Sequence, residues 1–99
     1  MPGHYISASC PCGYRGHASP GARFGGGVRV MAYGTNEKGE PDLVTASASA
    51  AKRRKLEVID DPALGRDSTA PNYSGPWPGY RCPACHANTM VLRMQGFWG

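Results

Sequence analysis

The segment Cys82-Pro83-Ala84-Cys85-His86 decides how this 99-residue chain can fold, together with a second segment near the other end, Cys10-Pro11-Cys12-Gly13-Tyr14. The two segments contain all four cysteines of the chain. Zinc accepts four thiolates at tetrahedral corners, about 2.3 Å from the ion, and two short turns can supply them without a large core. The prolines stiffen these turns, and Gly13 permits a positive φ. The pattern therefore predicts one Zn²⁺ site on Cys10, Cys12, Cys82 and Cys85.

Histidines near both segments leave the ligand set open. His17 or His4 could replace one thiolate of the first segment, and His86 could do so at the second. Imidazole nitrogen and thiolate sulfur are both common zinc ligands. The ordinary alternative for each histidine is an exposed polar side chain with no bond to the metal.

The composition limits the size of the core. The chain has 14 glycines and 9 prolines, and its charged fraction of 18% is below that of an average globular chain. A core this small supplies only about 3 to 5 kcal/mol, so a metal, a disulfide or a partner is needed as an additional staple. The length also excludes an enzyme with two lobes or a large barrel. One small module is expected.

The expected location of the protein in the cell favours metal binding by the cysteines over disulfide formation. No run approaches the roughly 18 apolar residues of a membrane span, and the start of the chain, residues 1–5, lacks the basic and apolar regions of a signal peptide. We therefore expect a cytoplasmic protein without a membrane partner. In that reducing environment, cysteines more often bind metals or carry out redox chemistry than form structural disulfides.

Alternating apolar and polar residues predict strands on both sides of the chain. Residues 28–33 and 89–94 alternate with a period of two, and residues 5–8 and 79–81 show the same pattern over a shorter length. Each of the two shorter runs leads into a cysteine segment. The predicted fold class is small β, with antiparallel hairpins around the metal.

The acidic residues divide the chain into an outer and a middle part. All seven lie within residues 35–75, which hold only one of the nine aromatic side chains. A stretch with so few large apolar groups buries little surface. We therefore expect a discontinuous domain of residues 1–34 and 76–99, with 35–75 as a largely disordered or partly helical insert. Helix-forming residues over 46–59 predict a possible short helix there.

The paired cysteine segments resemble the zinc ribbons, small metal-binding domains with two cysteine knuckles on β-hairpins. The resemblance covers residues 4–34 and 76–95. Cys82-Pro-Ala-Cys85 matches the family's usual Cys-x-x-Cys, whereas Cys10-Pro-Cys12 is one residue shorter. Zinc ribbons occur in transcription factors, polymerase subunits and ribosomal proteins, so the resemblance implies a structural zinc and a partner that is protein or nucleic acid.

A different chemistry is compatible with the second segment alone. Cys82-Pro-Ala-Cys85-His86 fits the C-x-x-C-H pattern of covalent haem attachment, with Met90 or Met94 as the other axial ligand. Cys82 and Cys85 could also act as a thiol redox pair, which requires an activated, exposed cysteine, usually at a helix N-terminus. Both alternatives leave Cys10 and Cys12 unexplained.

The cysteine segments contain no acid, so the carboxylate base of a hydrolytic zinc site is missing from them. We expect no enzyme activity and no small-molecule substrate, but a binding module that is a monomer or weak dimer.

Arginines interleaved with aromatic residues predict nucleic-acid binding, unless they only neutralise thiolate charge. Phe97 and Trp98 predict a protein-docking patch, unless they close the core. The candidate nucleic-acid contacts are Arg15, Arg29, Lys52, Arg53, Arg54, Lys55 and Arg81.

Overall fold

A computed structural model describes residues 3–23, 27–60, 62 and 74–98 of the chain. One helix and eight strands follow one another in these residues. They are β1 (Gly3–Ser9), β2 (Arg15–Ala18), β3 (Gly21–Arg23), β4 (Gly27–Thr35), β5 (Pro41–Ser47), α1 (Ala48–Arg53), β6 (Glu57–Ile59), β7 (Trp77–Tyr80) and β8 (Met90–Trp98).

The eight strands form one antiparallel sheet in the order β5-β4-β3-β1-β8-β7, with β2 paired to β1 and β6 paired to β4. Strand β1 pairs with β8 along its whole length, from Gly3 opposite Trp98 to Ser9 opposite Val91. The sheet curls so that β2 also contacts β5, where the Ser19 N–H donates to Thr45 Oγ1 at 2.8 Å. The β1–β8 ladder brings the two ends of the chain side by side.

The strand predictions are confirmed, as is the small antiparallel β fold class. Residues 28–33 lie in β4, 5–8 in β1 and 79–80 in β7, and β8 takes up the last predicted run from Met90 onward. Burial in β1 follows the alternation, because Ile6 and Ala8 are buried while Tyr5 is exposed. A period of two is thus enough to place these strands and to orient β1.

The core of the curled sheet contains one large aromatic side chain, Trp77, among medium-sized ones. Its largest fully buried side chains are Ile6, Met31, Met90, Leu92 and Cys82. Cys82 belongs to the same cluster as these apolar groups. The metal-ligand candidates are therefore continuous with the hydrophobic core.

The middle stretch differs from the expected insert. Strand β5 pairs with β4 over its full length, and β6 pairs with the same strand from Met31 opposite Ile59. Leu43 of β5 and Ile59 of β6 join the core. Residues 41–47 and 57–59 are therefore part of the sheet, because two modest apolar side chains and ladder hydrogen bonds suffice where no aromatic side chain is present. Residue 61 and residues 63–73 of the expected insert lie outside the described residues.

The helix is shorter than the sequence predicts. It covers Ala48–Arg53, and Ser47 caps it by accepting the Ala50 N–H on its hydroxyl at 3.1 Å. Thr45 lies in β5 and not at the helix N-terminus, because pairing with β4 keeps the chain extended up to Ser47. The buried Ala51 lies on the side of α1 that contacts β4 and β5. Within the described residues, no helix has the length and apolar character needed to cross a membrane.

Candidate metal centre

The four cysteine thiols meet at one point, although 69 residues separate Cys12 from Cys82. Their sulfur atoms all lie within 4.8 Å of one another. Cys10 Sγ is 3.7 Å from Cys85 Sγ, and Cys12 Sγ is 3.6 Å from Cys82 Sγ. Four sulfurs placed tetrahedrally at about 2.3 Å from one ion would be about 3.8 Å apart. The cluster therefore has the size of a site for a single tetrahedral metal ion.

The first cysteine turn joins β1 to β2. The Cys10 N–H donates to the Tyr14 carbonyl at 3.1 Å, and the Gly13 N–H donates to the Cys10 carbonyl at 2.9 Å. Gly13 has a φ of 101°, a conformation that side chains oppose. The expectation of a positive φ at Gly13 is confirmed. These two bonds fold the chain back within four residues, so that Cys10 and Cys12 both face the cluster.

The second cysteine turn lies between β7 and β8. The Cys82 N–H donates to the Ala87 carbonyl, and the His86 N–H donates to the Cys82 carbonyl, both at 2.9 Å. The backbone N–H groups of Ala84 and Cys85 point to Cys82 Sγ at 3.4 and 3.5 Å. These contacts fix the position of Cys82 Sγ within the turn.

The cluster lies partly under the surface. Cys10 and Cys82 are buried, whereas Cys12 and Cys85 are exposed. Each short sulfur contact joins a cysteine of one turn to a cysteine of the other. An ion at the centre would therefore link the two ends of the chain.

Thr89 is a functional residue that the sequence reasoning missed. Its hydroxyl lies 3.2 Å from Cys10 Sγ. This hydrogen bond is the main cause that lowers the pKa of Cys10 to about 6, with help from the backbone N–H of Cys12. For Cys12, the Tyr14 backbone N–H favours the thiolate, but partial loss of solvent around the sulfur and the neighbouring thiols outweigh it and raise the pKa to about 12. The surroundings therefore favour the thiolate at Cys10 and the thiol at Cys12.

The three histidines do not belong to the group that lies within metal-binding distance, and all three are among the described residues. His17 is exposed on β2, opposite Ser7 of β1. His4 packs edge to face on Phe97, with ring centroids 5.4 Å apart. His86 is exposed and has a φ of 66°, which serves the turn of the chain. The geometry favours four sulfur ligands over a set that includes histidine.

Tyr14 braces the first turn against the middle stretch. Its hydroxyl donates to the Asp42 carboxylate and accepts the Leu43 N–H at 3.0 Å. Burial, followed by the bond to Asp42, raises the pKa of Tyr14 well above its usual value. The brace therefore stays protonated and holds β5 against the turn that carries Cys10 and Cys12.

A second tyrosine braces the other turn. The Tyr33 hydroxyl donates to the Arg81 carbonyl at 2.6 Å, directly before Cys82. The Arg81 guanidinium lies 4.3 Å from the Tyr33 ring centre and contacts both carboxylate oxygens of Glu57, at 2.7 and 3.2 Å. The hydrogen bond to Glu57 raises the pKa of Arg81. Residues from β4 and β6 thus hold Cys82 in place.

The basic residues proposed as nucleic-acid contacts are distributed over several elements. Arg15 is exposed on β2 and Arg29 on β4, whereas residues 52–55 are exposed at the end of α1 and in the following turn. Arg81 is already engaged by Glu57. Three of the interleaved aromatic residues, Tyr14, Tyr33 and Tyr80, pack against the core. Phe97 is 54% exposed, and the side chain of Trp98 lies outside the described residues.

Comparison with models of protein families, with curated proteins and with solved structures found no match for this chain. The interpretation of the site therefore rests on its own geometry. The clustering of four thiols within 4.8 Å of one another is compatible with a metal-binding module.

Proposed function

We propose that the chain is a small non-enzymatic zinc module, in which Cys10, Cys12, Cys82 and Cys85 hold one structural Zn²⁺. The observation that carries this proposal is the clustering of the four sulfurs within 4.8 Å of one another. Soft thiolate ligands in a tetrahedral arrangement select zinc or iron among the common metals. Clusters of several irons distribute their cysteines over different iron atoms, so this compact group suits a single ion better.

The proposed ion has a structural and not a catalytic role. Catalytic zinc sites have three protein ligands and leave the fourth position for water or substrate. Here four thiolates fill the four positions. The nearest additional polar side chain with a described contact to the sulfurs is the Thr89 hydroxyl, which is no general base at neutral pH. In this account the module works through its surface, as a binding protein.

Cobalt substitution tests whether the site is closed by four sulfurs. We expect the Co²⁺-loaded protein to show the intense sulfur-to-cobalt charge-transfer absorption and the visible bands of a tetrahedral tetrathiolate. Cys85→Ser should weaken the charge-transfer bands by about one quarter, while His86→Gln should leave the spectrum unchanged. A spectrum that contains water or imidazole in the wild-type site would contradict a closed four-sulfur centre. A haem absorption band, or a disulfide between Cys82 and Cys85, would support the redox alternative instead.

Substitution of Thr89 tests whether its hydrogen bond to Cys10 increases the metal affinity of the site. Thr89→Val removes the hydroxyl that lies 3.2 Å from Cys10 Sγ. Loss of such an outer hydrogen bond typically weakens metal binding by about 10- to 100-fold. Competition with a chromophoric chelator measures this affinity. Thr89→Ser keeps the hydroxyl and should restore most of the affinity, whereas equal affinities of the valine variant and the wild type would show that the hydrogen bond does not act on the metal.

A further inference from the structure

The side of strands β2, β1 and β8 that faces away from the core forms a surface that we call the outer face. It is defined by the β1 residues whose side chains point away from the core, Tyr5, Ser7 and Ser9, and by their neighbours on β2 and β8. Ser7 lies opposite His17 and Arg93, and Ser9 lies opposite Arg15 and Val91. Directly paired residues of antiparallel strands project to the same side, so these rows share one face.

The outer face has short serine side chains along its centre and longer side chains on both sides of them. Ser7 and Ser9 run along the centre, and Gln95 donates to the Ser7 hydroxyl at 2.9 Å. Arg15 stands on one side, and Arg93 stands on the other, both exposed. Neighbouring strands lie about 4.8 Å apart, so the two side strands are roughly 10 Å apart across the serines. The result is a shallow polar channel with one arginine on each side, Arg15 on β2 and Arg93 on β8.

The charge of this face is one-sided. Strands β1, β2, β3, β7 and β8 and both cysteine turns contain no Asp or Glu. In the described residues, neither Arg15 nor Arg93 has an acidic partner, whereas Arg81 is bound to Glu57. A surface that carries only positive charge attracts a polyanion, and its arginine side chains can neutralise phosphates. Charge complementarity therefore assigns an anionic chain to the channel.

An aromatic side chain lies at one end of the channel. Tyr5 is 50% exposed, and its ring lies over Gly96, where an added Cβ would meet Tyr5 Cδ2 at 3.9 Å. Tyrosine rings on an open sheet can stack with unpaired bases, which a duplex keeps in its own stack. The other tyrosines with described side chains pack against the core, so Tyr5 is the one placed for stacking.

We propose that the outer face binds single-stranded nucleic acid, with Arg15, His17 and Arg93 against the phosphates and Tyr5 under a base. This inference rests on the proposed zinc module, because the metal would hold β1, β2 and β8 together at the cysteine end of the face. It moves the contact surface away from the basic residues 52–55, which lie at the end of α1 and in the turn that follows it.

Fluorescence anisotropy with a labelled uridine oligonucleotide and the zinc-loaded full chain tests the proposal. Arg15→Gln/Arg93→Gln should weaken binding at least tenfold and lower the slope of log affinity against log salt by about 1.4, since each phosphate contact contributes about 0.7. Arg53→Gln/Arg54→Gln removes the same charge from exposed positions near α1 and should change affinity less than threefold. Equal losses in the two variants would reduce the effect to overall charge and overturn the proposed site.

Tyr5 distinguishes stacking from simple charge attraction. Tyr5→Ala should weaken binding about 5- to 100-fold, while Tyr5→Phe retains the ring and the affinity. The same oligonucleotide annealed to its complement should bind more weakly than the single strand. No binding by the wild type, or tighter binding of the duplex, would contradict the inference. Zinc content measured on every sample separates this failure from failure of the metal centre.

Discussion

Replacing Cys82 with serine is expected to prevent the chain from folding. Cys82 is fully buried, so the variant loses one metal ligand and places a hydroxyl inside the core. Structural zinc contributes roughly 10 to 16 kcal/mol of apparent binding free energy at neutral pH. Joining the two cysteine turns costs roughly 4 kcal/mol for a loop of 69 residues, plus a constant. Without a complete site, the small core has to meet that cost alone.

Circular dichroism and metal content of the purified variant measure this effect. We expect the Cys82→Ser spectrum to lose its strand signal and the protein to retain less than one tenth of the zinc of the wild type. Ala84→Ser provides the control, because it changes an exposed residue of the same turn and leaves all four thiols in place. The free energy of unfolding of the control should lie within about 0.5 kcal/mol of the wild-type value, as is usual for surface substitutions. A folded Cys82→Ser protein with the wild-type thermal midpoint would refute the structural role of the site.

Truncating Leu43 is expected to destabilise the protein by about 2 to 4 kcal/mol, the cost of removing a buried leucine side chain. Leu43 is 5% exposed, and its backbone N–H donates to the Tyr14 hydroxyl, which braces the first cysteine turn. The chain segment from β5 to β6 thereby supports both the core and the metal site. A loosely attached insert would tolerate the same change.

Urea unfolding at a fixed concentration of free zinc gives this value, since metal binding to the folded state adds to apparent stability. Val58→Ala is the matched control. Val58 lies in β6 of the same segment but is 47% exposed, so its truncation should cost about 0.5 kcal/mol or less. Similar small losses for Leu43→Ala and Val58→Ala would show that residues 41–59 are not part of the cooperative fold.

Local patterns were sufficient to predict the outer strands and the cysteine group. Alternation identifies β1, which has a buried side and an open side, whereas in β4 the adjacent Met31 and Ala32 are both buried, so that its alternation predicts the strand but not its burial. The cysteine spacing predicts which side chains come together, but it does not predict the fold of the chain between the two cysteine turns. Thr89 could have been noticed as a hydroxyl four residues after Cys85, but spacing alone does not reveal that it contacts Cys10 of the other turn.

The role of the middle stretch could not be predicted from composition. Acidic residues usually indicate a solvent-exposed segment. Here, however, Asp42 binds Tyr14 of the first cysteine turn, and Glu57 binds Arg81 beside the second. Such contacts join residues that are 28 and 24 positions apart, so no local pattern contains them. The stretch joins the core through Leu43 and Ile59, so its lack of aromatic side chains does not keep it out of the fold.

Native mass spectrometry of the purified chain, with electronic absorbance of the same sample, tests the metal centre most directly. We expect one zinc ion per chain, no visible absorbance and loss of the compact charge-state distribution when a strong chelator removes the ion. The compact distribution should return when zinc is added back. A metal-free chain that remains compact, or one whose mass reveals two disulfide bonds, would contradict the claim that four thiolates on one zinc ion join its two ends.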